Sequence, residues 1–219
     1  MQTLDLKKEL KYLYQPSAKK IEVVDAPAMN FIMIDGGIEP YEKPGTSPLF
    51  QENMGALYGA AYTLKFSAKL RKENPFDYPV MASEGLWWVE DGLFDITQPG
   101  NWKYTLMIMQ PDLVTPEMFA DALAQLRKKK GDQPAFARLR LERFCEGLCV
   151  QTMHVGPYAT EPATLERMRA FMAENGLRDL VGSAVGPGGK HHEIYMGNPL
   201  RADPSKLKTV LRHPVEKVG

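Results

Sequence analysis

The fold is decided by residues 148–176, which read LCVQTMHVGPYATEPATLERMRAFMAENG. The apolar run Leu148–Val155 is too short for a helix and predicts a strand. A helix is predicted over Glu161–Asn175, because Leu165, Met168 and Met172 recur on one side. Asn175-Gly176 ends it, since both residues suit the backbone conformation that closes a helix.

Two further strands are predicted after this helix, at Ser183–Val185 and His191–Met196, separated by a glycine-rich turn. The order is therefore strand, helix, strand, strand. The same order is predicted within Met29–Met109, with strands at 29–34, 80–89 and 103–109 and a helix at 48–72. The two units share almost no sequence identity, so they repeat only in pattern.

These two units predict an α+β fold of pseudo-symmetric halves. We expect a ligand cleft between their sheets, on the side away from the helices. Residues 1–20 predict an N-terminal helix and linker, and residues 21–219 a single domain. Outside the two units, strands are predicted at 21–24 and 139–144, and a helix at 116–130 with Thr115 as its N-cap.

Composition excludes several classes of protein. The chain has 27 Lys and Arg against 27 Asp and Glu, whereas a protein that neutralises nucleic-acid phosphates usually has a basic excess. No apolar run approaches the length of a membrane helix, and no signal-peptide pattern is found near Met1. We therefore expect a cytoplasmic protein without nucleic-acid or membrane partners; its oligomeric state is left open.

The first candidate site is HHEIY, residues 191–195. Side chains alternate along a strand, so His191, Glu193 and Tyr195 share one face. A carboxylate beside a phenol is typical of a general base with an orienting partner. A metal site is disfavoured because no third ligand stands at a recognisable spacing. A strand end with solvated polar residues is the competing interpretation.

The second candidate is EGLWW, residues 84–88. Two adjacent tryptophans on a strand point to opposite faces, so one of Trp87 and Trp88 packs in the core and the other faces the cleft. Trp102 and Tyr104 extend the aromatic surface on the next strand. Aromatic surfaces of this kind hold flat ligands by stacking. The competing interpretation is that these side chains simply pack in the hydrophobic core.

The third candidate is QTMHVGPY, residues 151–158. His154 comes late in a strand before a Gly-Pro turn, and we expect it to be structural. Tyr158 either overhangs the cleft or caps the next helix. No phosphate-binding loop, dinucleotide fingerprint or nucleophile elbow is found in the sequence.

Several long strings resemble the GyrI-like small-molecule-binding family, in particular its stand-alone bacterial branch. They cover roughly residues 5 to 215 and are KKELKYLYQPSAKKIEVVDAPAMNFIMIDG, ALYGAAYTLKF, EGLWW, GLCVQTMHVGPY, HHEIYMGNPLR and LKTVLRHPV. The resemblance implies two strand-helix-strand-strand units around a pocket. No helix-turn-helix segment precedes the domain, so we do not expect a transcriptional regulator.

The resemblance also implies an activity, the hydrolysis of the cyclopropane ring of cyclopropanoid DNA-alkylating natural products, without a metal or organic cofactor. The glutamate of HHEIY, Glu193, carries over as the catalytic base. Tyr195 is the preferred proton donor, ahead of Tyr104 and Tyr158. The expected ligand is planar and apolar or cationic. Its predicted contacts are Trp87, Trp88, Trp102, Tyr104, Glu84, Tyr158 and His191. The alternatives are a protein that sequesters such drugs without catalysis, and a gyrase-inhibitor-like interaction protein.

Overall fold

One large sheet with helices packed on it forms the body of the protein. The computed structural model describes residues 1–90, 94–98, 100–182, 189–197 and 201–219. Within these ranges the elements are β1 (Gln2–Thr3), α1 (Leu6–Glu9), α2 (Lys11–Tyr14), β2 (Glu22–Ala26), β3 (Met29–Gly37), α3 (Pro48–Lys69), β4 (Phe76–Asp77), β5 (Ser83–Trp88), β6 (Lys103–Gln110), α4 (Pro116–Lys130), α5 (Pro134–Arg138), β7 (Arg140–Phe144), β8 (Gly147–Val155), α6 (Glu161–Glu174), β9 (Leu177–Asp179), β10 (His191–Tyr195) and β11 (Lys208–Lys217). Over the same ranges, no helix combines the length and apolar character needed to cross a bilayer.

In the described part of the chain, the sheet has nine strands in the order β2-β8-β11-β10-β5-β6-β3-β7, with β9 beside β11. Its neighbouring strands are antiparallel, which confirms the α+β prediction. The first unit is β3-α3-β5-β6 and the second is β8-α6-β10-β11. Within each unit the third strand lies between the first and the second. The two second strands, β5 and β10, then pair with each other at the centre.

The two units therefore share one continuous sheet. A strand at the edge of a sheet leaves a row of backbone N–H and C=O groups without partners. The pairing of β5 with β10 satisfies both inner edges at once, with Glu193 opposite Gly85 and His191 opposite Trp87. This central pair brings the two candidate motifs HHEIY and EGLWW side by side.

The last strand of the second unit is β11, which the sequence did not predict. Its middle reads Arg212-His213-Pro214, and these residues conceal the apolar alternation of a strand. Arg212 and His213 are nevertheless buried, because both bind acidic partners. The predicted strand at 183–185 lies outside the described residues, as does most of the glycine-rich turn after it.

The three long predicted helices match α3, α4 and α6, whereas the N-terminal segment contains two short helices, α1 and α2. Capping explains where α3 and α4 begin. The Ser47 hydroxyl accepts a hydrogen bond from the backbone N–H of Phe50 at the start of α3, and the Thr115 hydroxyl does so for Met118 at the start of α4. Each cap is followed by a proline, whose missing N–H costs nothing in the first turn. The predicted helix at 116–130 matches α4 residue for residue.

Both long helices of the two units lie on the same face of the sheet. Residues directly opposite in an antiparallel sheet point to the same side, and this links Trp87 through His191 and Tyr195 to Thr209 and His154. Phe50 of α3 stacks on Trp87, and Thr164 of α6 hydrogen-bonds His154. We call this side the helix face.

The N-terminal segment covers part of the opposite face. Leu13 and Tyr14 are buried there. The Tyr14 hydroxyl donates a hydrogen bond of 2.5 Å to Glu84, and the Arg212 guanidinium donates one of 2.7 Å to the Leu13 carbonyl. Since Glu84 is adjacent to Gly85 on β5, it points away from the helices.

Candidate functional site

The candidate site is centred on β10, where alternate side chains point to the helix face. His191, Glu193 and Tyr195 share that face, as the sequence predicts. Glu193 is 8% exposed and His191 is 1% exposed. The sequence placed the cleft on the side away from the helices, and this is wrong for these residues, because the contacts of Trp87 with α3 and of His154 with α6 fix their face as the helix face.

Trp87 and Tyr195 form a hydrogen-bonded pair across the two central strands. The indole N–H of Trp87 donates to the Tyr195 hydroxyl over 2.9 Å. The pair passes directly over Gly85, where a Cβ would stand 2.7 Å from the indole nitrogen and 2.8 Å from the phenol oxygen. Only glycine fits beneath it. The glycine of EGLWW is thus explained by a close approach of side chains.

Tyr195 directs its own proton toward Glu193, and this hydrogen bond is one of the causes that raise the pKa of Tyr195. A phenol has one donor, and its oxygen already accepts from Trp87. Burial and the adjacent charge of Glu193 raise the pKa of Tyr195 well above its usual value. Tyr195 is therefore a neutral hydrogen-bond donor beside a carboxylate.

Glu193 is the end of a chain of hydrogen-bonded side chains. Its Oε1 lies 3.0 Å from His191 Nε2. His191 Nδ1 lies 2.7 Å from His213 Nε2, and His213 Nδ1 lies 2.8 Å from an Asp179 carboxylate oxygen. The Phe94 ring stacks on the His191 ring at 5.4 Å between centroids. His191 therefore supports Glu193 from within the protein and has little surface to offer a ligand.

A second carboxyl group, Glu161, belongs to the site and was missed from the sequence. It is the first residue of α6 and has no exposed surface. Burial and the negative charge of Glu193 raise its pKa to about 9, although the Thr209 hydroxyl acts in the opposite direction. Among the described residues, neither carboxyl oxygen makes a well-formed hydrogen bond, and the contact with the Thr209 hydroxyl is only a weak one. Glu161 is therefore a neutral carboxylic acid close to the Glu193 carboxylate.

The sequence did contain a signal for Glu161. Residues 161, 165, 168 and 172 follow one another at steps of four, three and four, so the glutamate lies on the apolar side of α6. An acidic residue on the buried side of a helix is costly unless its environment uses it. No comparable pattern marks Asp179 or His213, which reach the site only through strand pairing.

Tyr158 lies beside the carboxyl groups and is 39% exposed. Its ring meets the Tyr195 ring edge-on at 6.3 Å. Burial and the negative charge of Glu193 raise its pKa to about 12. His154 has the structural role predicted for it, because its ring is held by Thr164 at 2.8 Å and by the Pro157 carbonyl at 3.3 Å.

The other predicted aromatic residues lie behind Trp87. Trp102 is 8% exposed and meets Trp87 edge-on at 5.8 Å, while its N–H is bound by the Gln98 carbonyl. Tyr104 is completely buried, and its hydroxyl accepts a hydrogen bond from Asn53. These two side chains are core that fixes the position of Trp87, and the structure does not bring them to Glu193.

Glu84 and Trp88 are on the opposite face, so the structure does not bring them to the site either. Glu84 has no exposed surface and lies 3.0 Å from His192 Nε2. His192 Nδ1 lies 2.9 Å from Glu146. Despite burial, the two carboxylates raise the pKa of His192 to about 9. Glu84 is thus a partner in a buried ion network that fastens the N-terminal segment.

Trp88 lies in a groove on the opposite face. The Lys190 ammonium lies 3.6 Å from the centre of the Trp88 ring. The groove has a volume of about 390 Å³ and also includes Asp35, Lys103 and Arg140. Arg140 is paired with Asp35 at 2.8 Å. The sheet separates this groove from Glu193.

The helix-face site thus holds an ionisable pair, a phenol donor and one tryptophan. Paired carboxyl groups whose environments separate their pKa values are a common arrangement for acid–base chemistry. Among the described residues, no group of three or more His, Cys, Asp or Glu side chains is arranged to hold a metal ion.

Comparison with known proteins agrees with this architecture. The model of the family described as "GyrI-like small molecule binding domain" matches residues 19–216. An uncharacterized conserved protein from Listeria innocua is 41% identical, with a TM-score of 0.84 over 97% of this chain and 100% of that chain. A hydrolase from the same organism is 40% identical, with a TM-score of 0.84 over 98% of this chain and 100% of its own.

More distant structures share the fold alone. The C-terminal domain of EcmrR is 10% identical, with a TM-score of 0.54 over 91% of this chain and 98% of that domain. No curated protein sequence matches the chain. The family model covers most of the chain, and both Listeria proteins align over their full length. This chain belongs to the GyrI-like small-molecule-binding family.

Proposed function

We propose that this protein binds planar, mostly apolar small molecules on the helix face and hydrolyses cyclopropanoid DNA-alkylating compounds, with Glu193 as the general base. Membership of a small-molecule-binding family supports the first part. The hydrolases from Listeria innocua, 39% and 40% identical, support hydrolysis in general. The specific substrate class comes from the resemblance of HHEIY and its flanking strings to the stand-alone branch.

The observation that carries the proposal is the position of Glu193. Its carboxylate is nearly buried, is held by His191 at 3.0 Å and has the neutral donor Tyr195 on the same strand face. A nearly buried carboxylate whose position is fixed by a hydrogen bond is a suitable general base, because it can take a proton from a water molecule placed beside it. The site therefore places a base, Glu193, and a proton donor, Tyr195, next to the indole N–H of Trp87.

Glu193 and Tyr195 together can account for every proton that moves in the reaction. Glu193 removes a proton from water while the water oxygen forms a bond to the ring methylene. The strained carbon–carbon bond breaks, and its electron pair moves through the conjugated system onto the carbonyl oxygen, which becomes a phenolate. Tyr195 gives that oxygen a proton and recovers one from Glu193. Water is added and no proton is exchanged with solvent.

Trp87 forms the back of the site, because its ring is only 3% exposed and its role is to hold Tyr195 in place. Its ring is fixed on one side by Phe50, with 5.9 Å between centroids and 18° between planes, and its N–H is fixed by Tyr195. The exposed aromatic surface next to the two reacting groups is the Tyr158 ring, which is 39% exposed and is where a flat ligand would make contact. Tyr158, on the other side of Tyr195, borders the site toward solvent.

The test is turnover of a cyclopropanoid alkylator by wild type, Glu193→Gln and Tyr195→Phe, followed by the change in absorbance from dienone to phenol and by the mass of the water adduct. Loss of a general base typically costs about 10²–10⁴-fold in kcat. We expect such a loss for Glu193→Gln, with binding preserved. Trp88→Leu is the control, because Trp88 lies on the opposite face.

Each alternative predicts a different result. A sequestering protein would bind the compound stoichiometrically in the wild type and in Glu193→Gln, with no turnover by either. Unchanged turnover by Glu193→Gln would refute the assignment of the base. A loss caused equally by Trp88→Leu would mean that the chemistry is not on the helix face.

A further inference from the structure

The chain of hydrogen-bonded side chains from Asp179 to Glu193 crosses three neighbouring strands, β9, β11 and β10. Asp179 ends β9, His213 is in β11, and His191 and Glu193 are in β10. The three contacts measure 2.8, 2.7 and 3.0 Å. The side chains of His191 and His213 are 1% and 5% exposed, whereas Asp179 is 27% exposed. The chain therefore runs from a partly exposed carboxylate to the buried base.

Counting donors shows that this chain needs an additional proton. A neutral imidazole has one N–H, and a carboxylate has none. Two neutral histidines between two carboxylates provide two protons for three contacts. Without a third proton, two lone pairs would face each other at a hydrogen-bonding distance.

We propose that the chain permanently holds this third proton and shuttles it between His213 and Glu193, which makes Asp179, His213 and His191 positioning residues for the base. The inference rests on the role of Glu193 proposed above. With Glu193 ionised, His213 is an imidazolium that donates to Asp179 and to His191, and His191 donates from Nε2 to Glu193. The chain then has a net charge of −1.

Transfer of the proton requires two short steps. The Nε2 proton of His213 moves to Nδ1 of His191, and the Nε2 proton of His191 moves to Glu193. His213 becomes neutral, His191 changes tautomer, and Glu193 becomes a carboxylic acid. The number of protons and the net charge are unchanged, so the base is converted into an acid without contact with solvent.

The surroundings favour placing the additional proton on His213 or Glu193, at the two ends of its path, over placing it on the central His191. Burial lowers the pKa of His191, so a charge on the central ring is disfavoured. Burial by itself raises the pKa of Asp179, but the hydrogen bond and charge of His213 lower it overall. Other ionisable groups also influence these side chains: Arg169 at Asp179, His192 behind His191, and Tyr158, Glu161, Tyr195 and His154 at Glu193.

The experiment is long-range ¹H–¹⁵N correlation spectroscopy of the full chain, labelled at histidine, near neutral pH and without substrate. The four histidines are assigned by single His→Gln variants. In the wild type we expect His213 to be protonated at both ring nitrogens and His191 at Nε2 only. In Asp179→Asn the proton loses its carboxylate partner and moves to Glu193, so His213 becomes neutral and His191 changes to the Nδ1–H tautomer.

Asp203→Asn is the matched control, because this exposed aspartate caps a distant turn, and we expect it to leave both spectra unchanged. A neutral His213 in the wild type would overturn the proposal. The proposal would also be overturned if His191 had the same tautomer in Asp179→Asn as in the wild type. The wild-type spectrum is decisive even if the variant fails to fold. Because no substrate is used, absence of hydrolysis would refute the proposed function and leave this result intact.

Discussion

Replacement of Glu161 by glutamine tests whether a neutral carboxylic acid is buried beside Glu193. In the unfolded chain this carboxyl group ionises near its usual value of 4.5, whereas in the folded protein it keeps its proton up to about pH 9. Between these values the folded state binds one more proton than the unfolded state. Stability therefore falls as pH rises, by about 1.4 kcal/mol for each pH unit.

The size of the pKa shift of Glu161 is set by burial of its carboxyl group and not by its position at the N-terminus of α6. Glu161 begins α6, and a helix N-terminus favours an ionised carboxylate by about 0.3–1 kcal/mol. Removing water from a fully buried carboxylate costs several kcal/mol, and the charge of Glu193 adds to that cost. The protonated form of Glu161 is therefore favoured in the folded protein. Glutamine has the same shape and no charge, so Glu161→Gln removes the linked proton with little change in packing.

The assay is urea denaturation of wild type and Glu161→Gln at about pH 6, 7 and 8. We expect the stability of the variant relative to wild type to increase by about 3 kcal/mol across this range. The contribution of His192 is common to both proteins and cancels in the difference. Glu166→Gln, on the exposed side of the same helix, should give a flat difference. A flat difference for Glu161→Gln would show that Glu161 is ionised in the folded protein and would refute the reasoning.

Three further predictions follow from the contacts. Gly85→Ala should separate Trp87 from Tyr195 and cost about 1–3 kcal/mol of stability by overpacking; a change below 0.5 kcal/mol by thermal or urea unfolding would contradict the close contact. Tyr14→Phe should cost about 1.5–3 kcal/mol, since it removes a hydrogen bond to the buried Glu84 carboxylate; a neutral effect on urea unfolding would show that the N-terminal segment is not held there. Because the folded pKa of His192 is raised to about 9, its contribution should be complete below about pH 6.5 and lost as pH rises through 9; wild-type stability that remains constant over that range would contradict this.

The sequence predicted most of the fold because its signals are local. The first unit and both long helices were placed within a few residues, since apolar spacing and capping residues act over one or two turns. β11 was missed because Arg212 and His213 break the alternation. Their burial depends on Glu146, Gln151 and Asp179, which are distant in the chain.

The candidate site was predicted only in part, because local signals in the sequence place some of its residues and not others. Alternation along β10 correctly grouped His191, Glu193 and Tyr195, and the EGLWW string correctly separated its two tryptophans. Which tryptophan belongs with Glu193 depends on the register of β5 against β10. That register puts Trp87 opposite His191 and turns Trp88 to the other face.

The type and order of the long elements and the alternation of side chains along each strand can be read from the sequence, because they follow from interactions between near neighbours. Which face carries the candidate site, and which residues complete it, depends on how distant segments pack. Asp179 and His213 join Glu193 by strand pairing, and Glu161 joins it by the docking of α6. Their protonation is set by burial and by neighbouring charges, and both arise only when distant segments pack together.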